Sequence, residues 1–501
     1  MVASITAFAA GASNLPVRYI QHQHVVDLWW LYLSWGDCQK ASWSTFWRCW
    51  TSTWFHCLRL RKPCQHSQCD VCWEASQYLH HGMGSWREKQ VRAQQWQLHL
   101  RQQYADRCVY WTLRWASKQP RSDILCLIVD GLDKSKLVFP QYHFRCPKQL
   151  DKFFRPRCEI HLALVHGYAA NFFVSEEESI FHGGSYVLEI LVRSLAQVKA
   201  ERQRQGLSMP RHLCLQSDNT VSQLKNAESS LFLGVLLRRF GFDTCGLTYL
   251  QKGHTHEDVD FVFSLLLGRV LRKVKIQCPQ DLCEEIKAGM EDLLLAKGYK
   301  THAELVTHCR NFKSWLDNLG VTPHGCYLPR QGRDCPHSFC FKFRMDLSQL
   351  EKEAVERIEP PRHRRQQHDL DVFCITKKIM SSTESFTPVL LIPNTIIARL
   401  PAVPTQTIDV EMADKRKADL YGFAAELERL SSQWGIEHSL FRAAAEIRIL
   451  ANGRPKVQSQ DGFLESLAAA VERNTPLPLN NAPYYNHLPN ITWQMMVRFR
   501  R

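Results

Sequence analysis

The strongest constraint on the fold is a stretch of about 150 residues in which short apolar runs alternate with amphipathic segments. Ile124-Leu125-Cys126-Leu127-Ile128-Val129 is apolar and β-branched towards its end, the pattern of a buried strand. Residues 158–166 and 168–175 predict two more strands, with His166-Gly167 as the turn between them. Gly183-Gly184 then open a helix that carries Leu188, Leu191, Val192, Leu195 and Val198 on one face. A strand over 212–217, a helix near 225–240, a strand near 245–250 and a helix near 257–274 complete the unit. Strands alternating with amphipathic helices predict a mixed α/β sheet with helices packed over it.

The order β-β-β-α-β-α-β-α is that of an RNase H-like core, and three carboxylates fall where such a core would use them. Asp130 ends the first strand. Asp218 ends the strand at 212–217 and is followed by Asn219. Asp260 lies at the start of the last helix, after Gly253-His254-Thr255-His256-Glu257-Asp258-Val259. Ligands of α/β sheets collect at the carboxyl ends of strands. Three converging carboxylates there could hold two Mg²⁺ or Mn²⁺ ions, which clamp the attacking and leaving oxygens of a phosphodiester.

Helix phase selects the third acid. Asp260 shares a column with Phe263, Leu267 and Leu271, which faces the sheet, while Asp258 stacks with Val262, Leu265 and Arg269 towards solvent. Asp260 is therefore expected as the ligand, with Glu257 as its alternative. His254, His256, Asn219 and Lys134 are candidate supporting residues. Asn219 could equally bond the turn backbone, and the two histidines could be plain loop residues. Lys136, Arg269, Arg272 and Lys273 are candidate phosphate contacts around an acidic centre.

The first 120 residues read differently. Trp29, Trp30, Trp35, Trp43, Trp47, Trp50 and Trp54 crowd its start, with Ser44 as a candidate helix cap; an aromatic helical core is the expectation. His66-x2-Cys69-x2-Cys72 places three borderline or soft ligands close together. His80 or His81 could close a tetrahedron around Zn²⁺, with Cys64 as a competing ligand. Residues from about 84 to 118 predict a basic, Gln-rich helix. Nineteen cysteines, an odd number scattered through 501 residues, suit reduced intracellular thiols better than a disulfide framework. A net charge of +14 suits a polyanionic partner. No apolar run approaches a membrane span, and Val2–Ser13 lacks a preceding basic residue, so neither membrane insertion nor secretion is expected.

The strings Val129-Asp130-Gly131-Leu132-Asp133-Lys134-Ser135-Lys136, Asp218-Asn219-Thr220 with Lys225-Asn226, and Gly253-His254-Thr255-His256-Glu257-Asp258-Val259-Asp260 carry a resemblance. With Asp27-Leu28-Trp29-Trp30-Leu31-Tyr32-Leu33-Ser34-Trp35 and the Cys/His segment, they resemble an uncharacterised DDE-transposase-like domain family. That family is expanded in some protist genomes and is known only as a domain of unknown function. The similarity runs from about residue 18 to 345. It implies an RNase H-like fold and metal-dependent cleavage or strand transfer on DNA; the alternative is a domesticated, inactive, zinc-containing DNA-binding protein.

The expected organisation is a helical, zinc-binding region over 1–120, the RNase H-like core over 121–278 and a helical and strand extension over 279–358. A basic linker follows over 359–370, then an α+β module over 371–501. In the third segment residues 279–318 are expected to be helical, and in the last, strands are expected near 388–393 and 491–499. The linker's Arg362, Arg364 and Arg365 suggest a nuclear localisation signal or a phosphate-contacting arm. Self-association is compatible with this reading.

Overall fold

The computed structural model describes residues 18–20, 25–34, 41–55, 58–60, 69–132, 137–141, 148–153, 155–180, 182–217, 224, 226–249, 258–272, 276–321, 336–358, 368–378, 381, 385, 388–397, 407–408, 410–434 and 439–454. They form two compact units. One comprises residues 1–107 with 251–255, the other 108–250 with 256–501.

In the first unit, β1 (Arg18–Ile20) pairs in parallel with β2 (Leu58–Leu60). Helix Val25–Ser34 packs on helix Trp43–Cys49 through aromatic rings: Trp29 lies 5.3 Å from Phe46 and 5.5 Å from Trp43. The cap of the second helix is Ser42, not Ser44, because the Ser42 hydroxyl accepts from the Thr45 amide. Phe46, Trp50 and Trp54 are buried while Trp43 and Trp47 stay exposed, so the aromatic stripe is core on one face only. Helices Asp70–His81 and Trp86–Ser117 follow, and Ala75, Leu79, Ala93 and Trp96 form a small core between them.

The second unit is built on one nine-stranded sheet, ordered β11-β10-β9-β7-β6-β3-β4-β5-β8. Its strands are β3 (Ile124–Leu132), β4 (Cys158–Val165), β5 (Ala169–Glu176), β6 (His212–Ser217), β7 (Thr244–Tyr249), β8 (Lys300–Leu305), β9 (Ser338–Phe343), β10 (Val372–Lys377) and β11 (Val389–Ile392). β3 runs parallel to β6, and β6 to β7, whereas β4 runs against both β3 and β5. Strands β3 to β7 are buried almost throughout because helices cover both faces. Leu125, Leu127 and Val129 join the core beneath helices Gly184–Arg204 and Ala227–Phe240. Ile124, Cys126, Ile128 and Leu132 join the opposite core, under helices Asp258–Leu266, Pro279–Leu295, Asp414–Trp434 and Ser439–Asn452.

The expected turn at His166-Gly167 is present. Gly167 has φ +86°, and a Cβ there would meet the Ser117 carbonyl oxygen at 2.7 Å, so both conformation and space demand glycine.

Residues 279–318 are not wholly helical as expected. Helix Pro279–Leu295 ends, and Lys300-Thr-His-Ala-Glu-Leu forms β8 beside β5. As an edge strand β8 buries little besides Ala303, so its polar residues hid it. β9, β10 and β11 extend this same sheet, so the segments read as an extension and a C-terminal module share its core. The apolar stripe Leu420, Phe423, Leu427 and Leu430 is buried. The strand expected near 491–499 and the arginines of the basic linker lie outside the described residues. Among those described, no helix is long and apolar enough to cross a membrane.

Candidate functional site

Asp130 sits near the carboxyl end of the central strand, half-buried, with its Oδ1 accepting from the Gly131 amide at 2.8 Å. By strand alternation it belongs to the face of Cys126 and Ile128, under helix Asp258–Leu266. On the neighbouring parallel strand Ser217 is in register with Val129. Asp218 follows Ser217 in the chain and lies outside the described residues, as do Lys134, Lys136, Asn219, His254, His256, Glu257 and Lys273.

A histidine cluster that the sequence did not reveal adjoins this strand end. His161 on β4 is in register with Gly131, and a Cβ on Gly131 would lie 3.1 Å from its Nε2. The ring stacks over His182, which bonds Ser175 Oγ at 2.7 Å; Tyr186 donates to the same hydroxyl at 2.9 Å. Burial, with His182 nearby, lowers the His161 pKa to about 3. Its Nδ1 is buried with no hydrogen-bond partner among the described residues. Alternation in Glu159-Ile160-His161-Leu162 was the available signal, but an all-buried strand masks it.

The start of helix Asp258–Leu266 is fixed by a second network. Asp258, expected to face solvent, is instead held by Arg114, whose Nη1 donates to Oδ1 at 2.6 Å and to Oδ2 at 2.7 Å. Tyr110 donates to Oδ2 at 3.2 Å. Having spent its proton there, Tyr110 receives the His166 Nε2–H at 2.8 Å, which leaves Nδ1 to accept from Tyr299 at 2.8 Å. Burial foremost lowers the His166 pKa to about 3 and keeps the ring neutral. Burial alone would raise the Asp258 pKa, but the Arg114 charge and the hydrogen bonds from Arg114 and Tyr110 hold it below the usual aspartate range.

This network sets where the helix acids stand. Asp258 lies 3.8 Å from His166, whose amide bonds the Cys126 carbonyl. Asp130 is four residues farther along β3, about 13 Å at ~3.3 Å per residue. Asp260, half-buried, follows Asp258 within the first helical turn. The helix passes into a π-helical turn over Leu267–Leu271, and Gln141 Nε2 donates to the Leu271 carbonyl at 2.7 Å. Gln141 follows the segment that pairs before β4, so this turn is at the Asp130 end of the sheet. Its Arg269 and the adjoining Arg272 are both exposed.

The two buried neutral histidines make stability pH-dependent. Their folded pKa values, about 3, lie below the ~6.5 of an unfolded chain. The unfolded state therefore binds protons first, so stability is complete above pH ~6.5 and falls as pH drops towards 3. Each histidine contributes a slope of up to ~1.4 kcal/mol per pH unit. Melting curves between pH 7.5 and 5.5 should fall accordingly, and His161→Gln should flatten the slope. Superimposable wild-type melts across that range would contradict the assignment.

In the first unit, the Sγ atoms of Cys69 and Cys72 and a ring nitrogen of His99 all lie within 4.8 Å of one another. His99, on helix Trp86–Ser117, stands in this group, which includes neither His80 nor His81. Those two end the helix that Cys69 caps, and His80 is eight residues beyond Cys72, about 12 Å at 1.5 Å per residue. Cys64 and His66 lie outside the described residues. His99 was missed because the spacing drew attention to the nearest histidines in sequence.

Residues 148–351 match DUF7869, a domain of unknown function. The match runs from just before β4 to the first residues of helix Gln349–Ile358, so it takes in Asp218 and Asp260 but begins after Asp130. No curated protein and no solved structure matches the chain.

Proposed function

We propose that the second unit is an RNase H-like core that acts on DNA phosphodiesters with divalent metal ions, through Asp130, Asp218 and Asp260. The observation that carries this is Asp130 at the carboxyl end of the central strand of β5-β4-β3-β6-β7, in which β4 alone runs against the others. That order and polarity, with helices on both faces, are those of RNase H-like cores, and carboxyl ends of strands are where α/β sheets place ligands. Two Mg²⁺ or Mn²⁺ ions, when bound, would polarise the phosphoryl oxygens and lower the pKa of an attacking water or 3′-hydroxyl. The chain's own part is to hold and orient carboxylates and to neutralise flanking phosphates, for which Arg269 and Arg272 stand at the same end of the sheet.

A second reading, a domesticated DNA-binding scaffold without catalysis, draws on the seating of helix Asp258–Leu266. The Arg114 and Tyr110 bonds anchor its first residue level with Cys126 rather than with Asp130. Asp260 lies only two residues, about 3 Å of helix rise, beyond that first residue, whereas carboxylates that share two ions ~4 Å apart must converge on the Asp130 end.

Labelled DNA incubated with the full-length protein and Mn²⁺ separates the readings. Binding with cleavage supports the first, and binding without cleavage the second. In either case affinity should fall steeply with salt, and Arg269→Ala and Arg272→Ala should each reduce the log–log slope by about one. No binding at low salt would overturn both.

A further inference from the structure

We infer that Cys69, Cys72 and His99 form a zinc site that staples the start of helix Asp70–His81 to helix Trp86–Ser117. The inference concerns the first unit alone and stands whether or not the second cleaves DNA. Cys69 Sγ and His99 Nε2 are 3.3 Å apart. Two ligands of a tetrahedral zinc, one sulfur at ~2.3 Å and one nitrogen at ~2.0–2.1 Å, would be about 3.5 Å apart, so this pair needs almost no rearrangement. Cys72 Sγ joins the same group of donors.

Surroundings favour a metal over free thiols. Two sulfurs and an imidazole nitrogen stand within 4.8 Å of one another, a convergence of soft and borderline donors that suits an ion between them. Trp96 donates its indole N–H to Cys72 Sγ at 3.4 Å. A thiolate accepts such a bond better than a thiol, and N–H···S bonds from outside the ligand set orient and tune zinc thiolates. Binding would form two Zn–S bonds and one Zn–N bond and release the two thiol protons to solvent, with no redox change. Three donors are grouped among the described residues, which leaves a fourth position for a further donor.

The packing gives such a staple a purpose. Where the second unit has two extensive cores, helices Asp70–His81 and Trp86–Ser117 share four buried residues in their common cluster: Ala75, Leu79, Ala93 and Trp96. Two of the four are alanines, which contribute little burial, and small units with thin cores commonly rely on a metal. Cys69 stands at the cap of the shorter helix and His99 more than three turns into the longer one. A bond through the ion therefore closes a 30-residue loop.

The test is metal analysis of the full-length protein purified without chelator, followed by Co²⁺ exchange. One zinc per chain is expected, and the Co²⁺ form should show tetrahedral thiolate absorption. Cys69→Ser, Cys72→Ser and His99→Ala should lose the metal, while His80→Ala/His81→Ala keeps it. His99→Cys should retain zinc with a red-shifted, more intense Co²⁺ thiolate band, a readout that a merely misfolded variant cannot give. Three results would each overturn the site: no zinc in the wild type, a Cys69–Cys72 disulfide, or zinc that persists in His99→Ala but is lost with His80 and His81.

Discussion

Asp218→Asn is expected to lower metal-dependent cleavage of DNA by on the order of 10³-fold or more while changing affinity less than about twofold. The amide keeps the size of the side chain but removes the charge that holds a divalent ion. Binding should persist, because phosphate contacts come from basic residues rather than from the acidic centre. Asp130→Asn should behave in the same way, since the asparagine keeps an Oδ1 that can accept from the Gly131 amide. Asp258→Asn is the informative contrast. Its partner is Arg114, so it should lower the melting temperature, and cleavage by any surviving folded protein should be near normal. Asp260→Asn then tells whether the helix contributes an acid at all. Unchanged cleavage in Asp260→Asn, with loss in the other two, would pass the third role to Glu257, and unchanged cleavage in Glu257→Gln as well would reduce the triad to a pair. A wild type that binds but never cleaves leaves the scaffold reading in place.

The parts of the fold that were legible are those where burial leaves no choice of residue. β3, β4, β6 and β7 read as apolar runs because helices cover both faces, and the turn at Gly167 needs a residue that tolerates positive φ. β8 was not legible, because an edge strand with outward Lys300, His302 and Glu304 has no such constraint. The candidate site was legible only where one element defines it, as with Asp130 at the end of β3. Asp258 could not be placed, because its partner Arg114 is 144 residues away on a helix that reads as solvated charge. Helix phase gave the column in which Asp260 lies but not the level at which the helix begins, and the Arg114, Tyr110 and His166 network sets that level. His99 shows the same limit: its helix carries Gln and Arg on every side, and only folding brings its ring to Cys69.

Arg310→Ala should destabilise the second unit by about 3–5 kcal/mol, the cost of leaving a buried charge without its main partner. Glu189 lies within helix Gly184–Arg204 and is 0% exposed. Arg310 grips it with Nε at 2.8 Å on Oε2 and Nη2 at 2.8 Å on Oε1, and the Arg310 amide adds a bond of 3.2 Å. Arg193 supplies a further bond at 2.8 Å but also serves Glu304. Burial alone would raise the Glu189 pKa, yet Arg310 and then Arg193 hold it below the usual glutamate range. A depressed folded pKa stabilises above the unfolded value and loses that stabilisation as pH falls. The difference between Arg310→Ala and wild type should therefore be large at pH 7.5 and shrink towards pH 4, where the stranded carboxyl takes up a proton. Glu189→Met/Arg310→Met should recover much of the loss, because an apolar pair leaves no uncompensated charge. Thermal melts of the three proteins at two pH values decide it. A pH-independent deficit in Arg310→Ala would mean that lost packing, and not the Glu189 charge, is what the arginine provides.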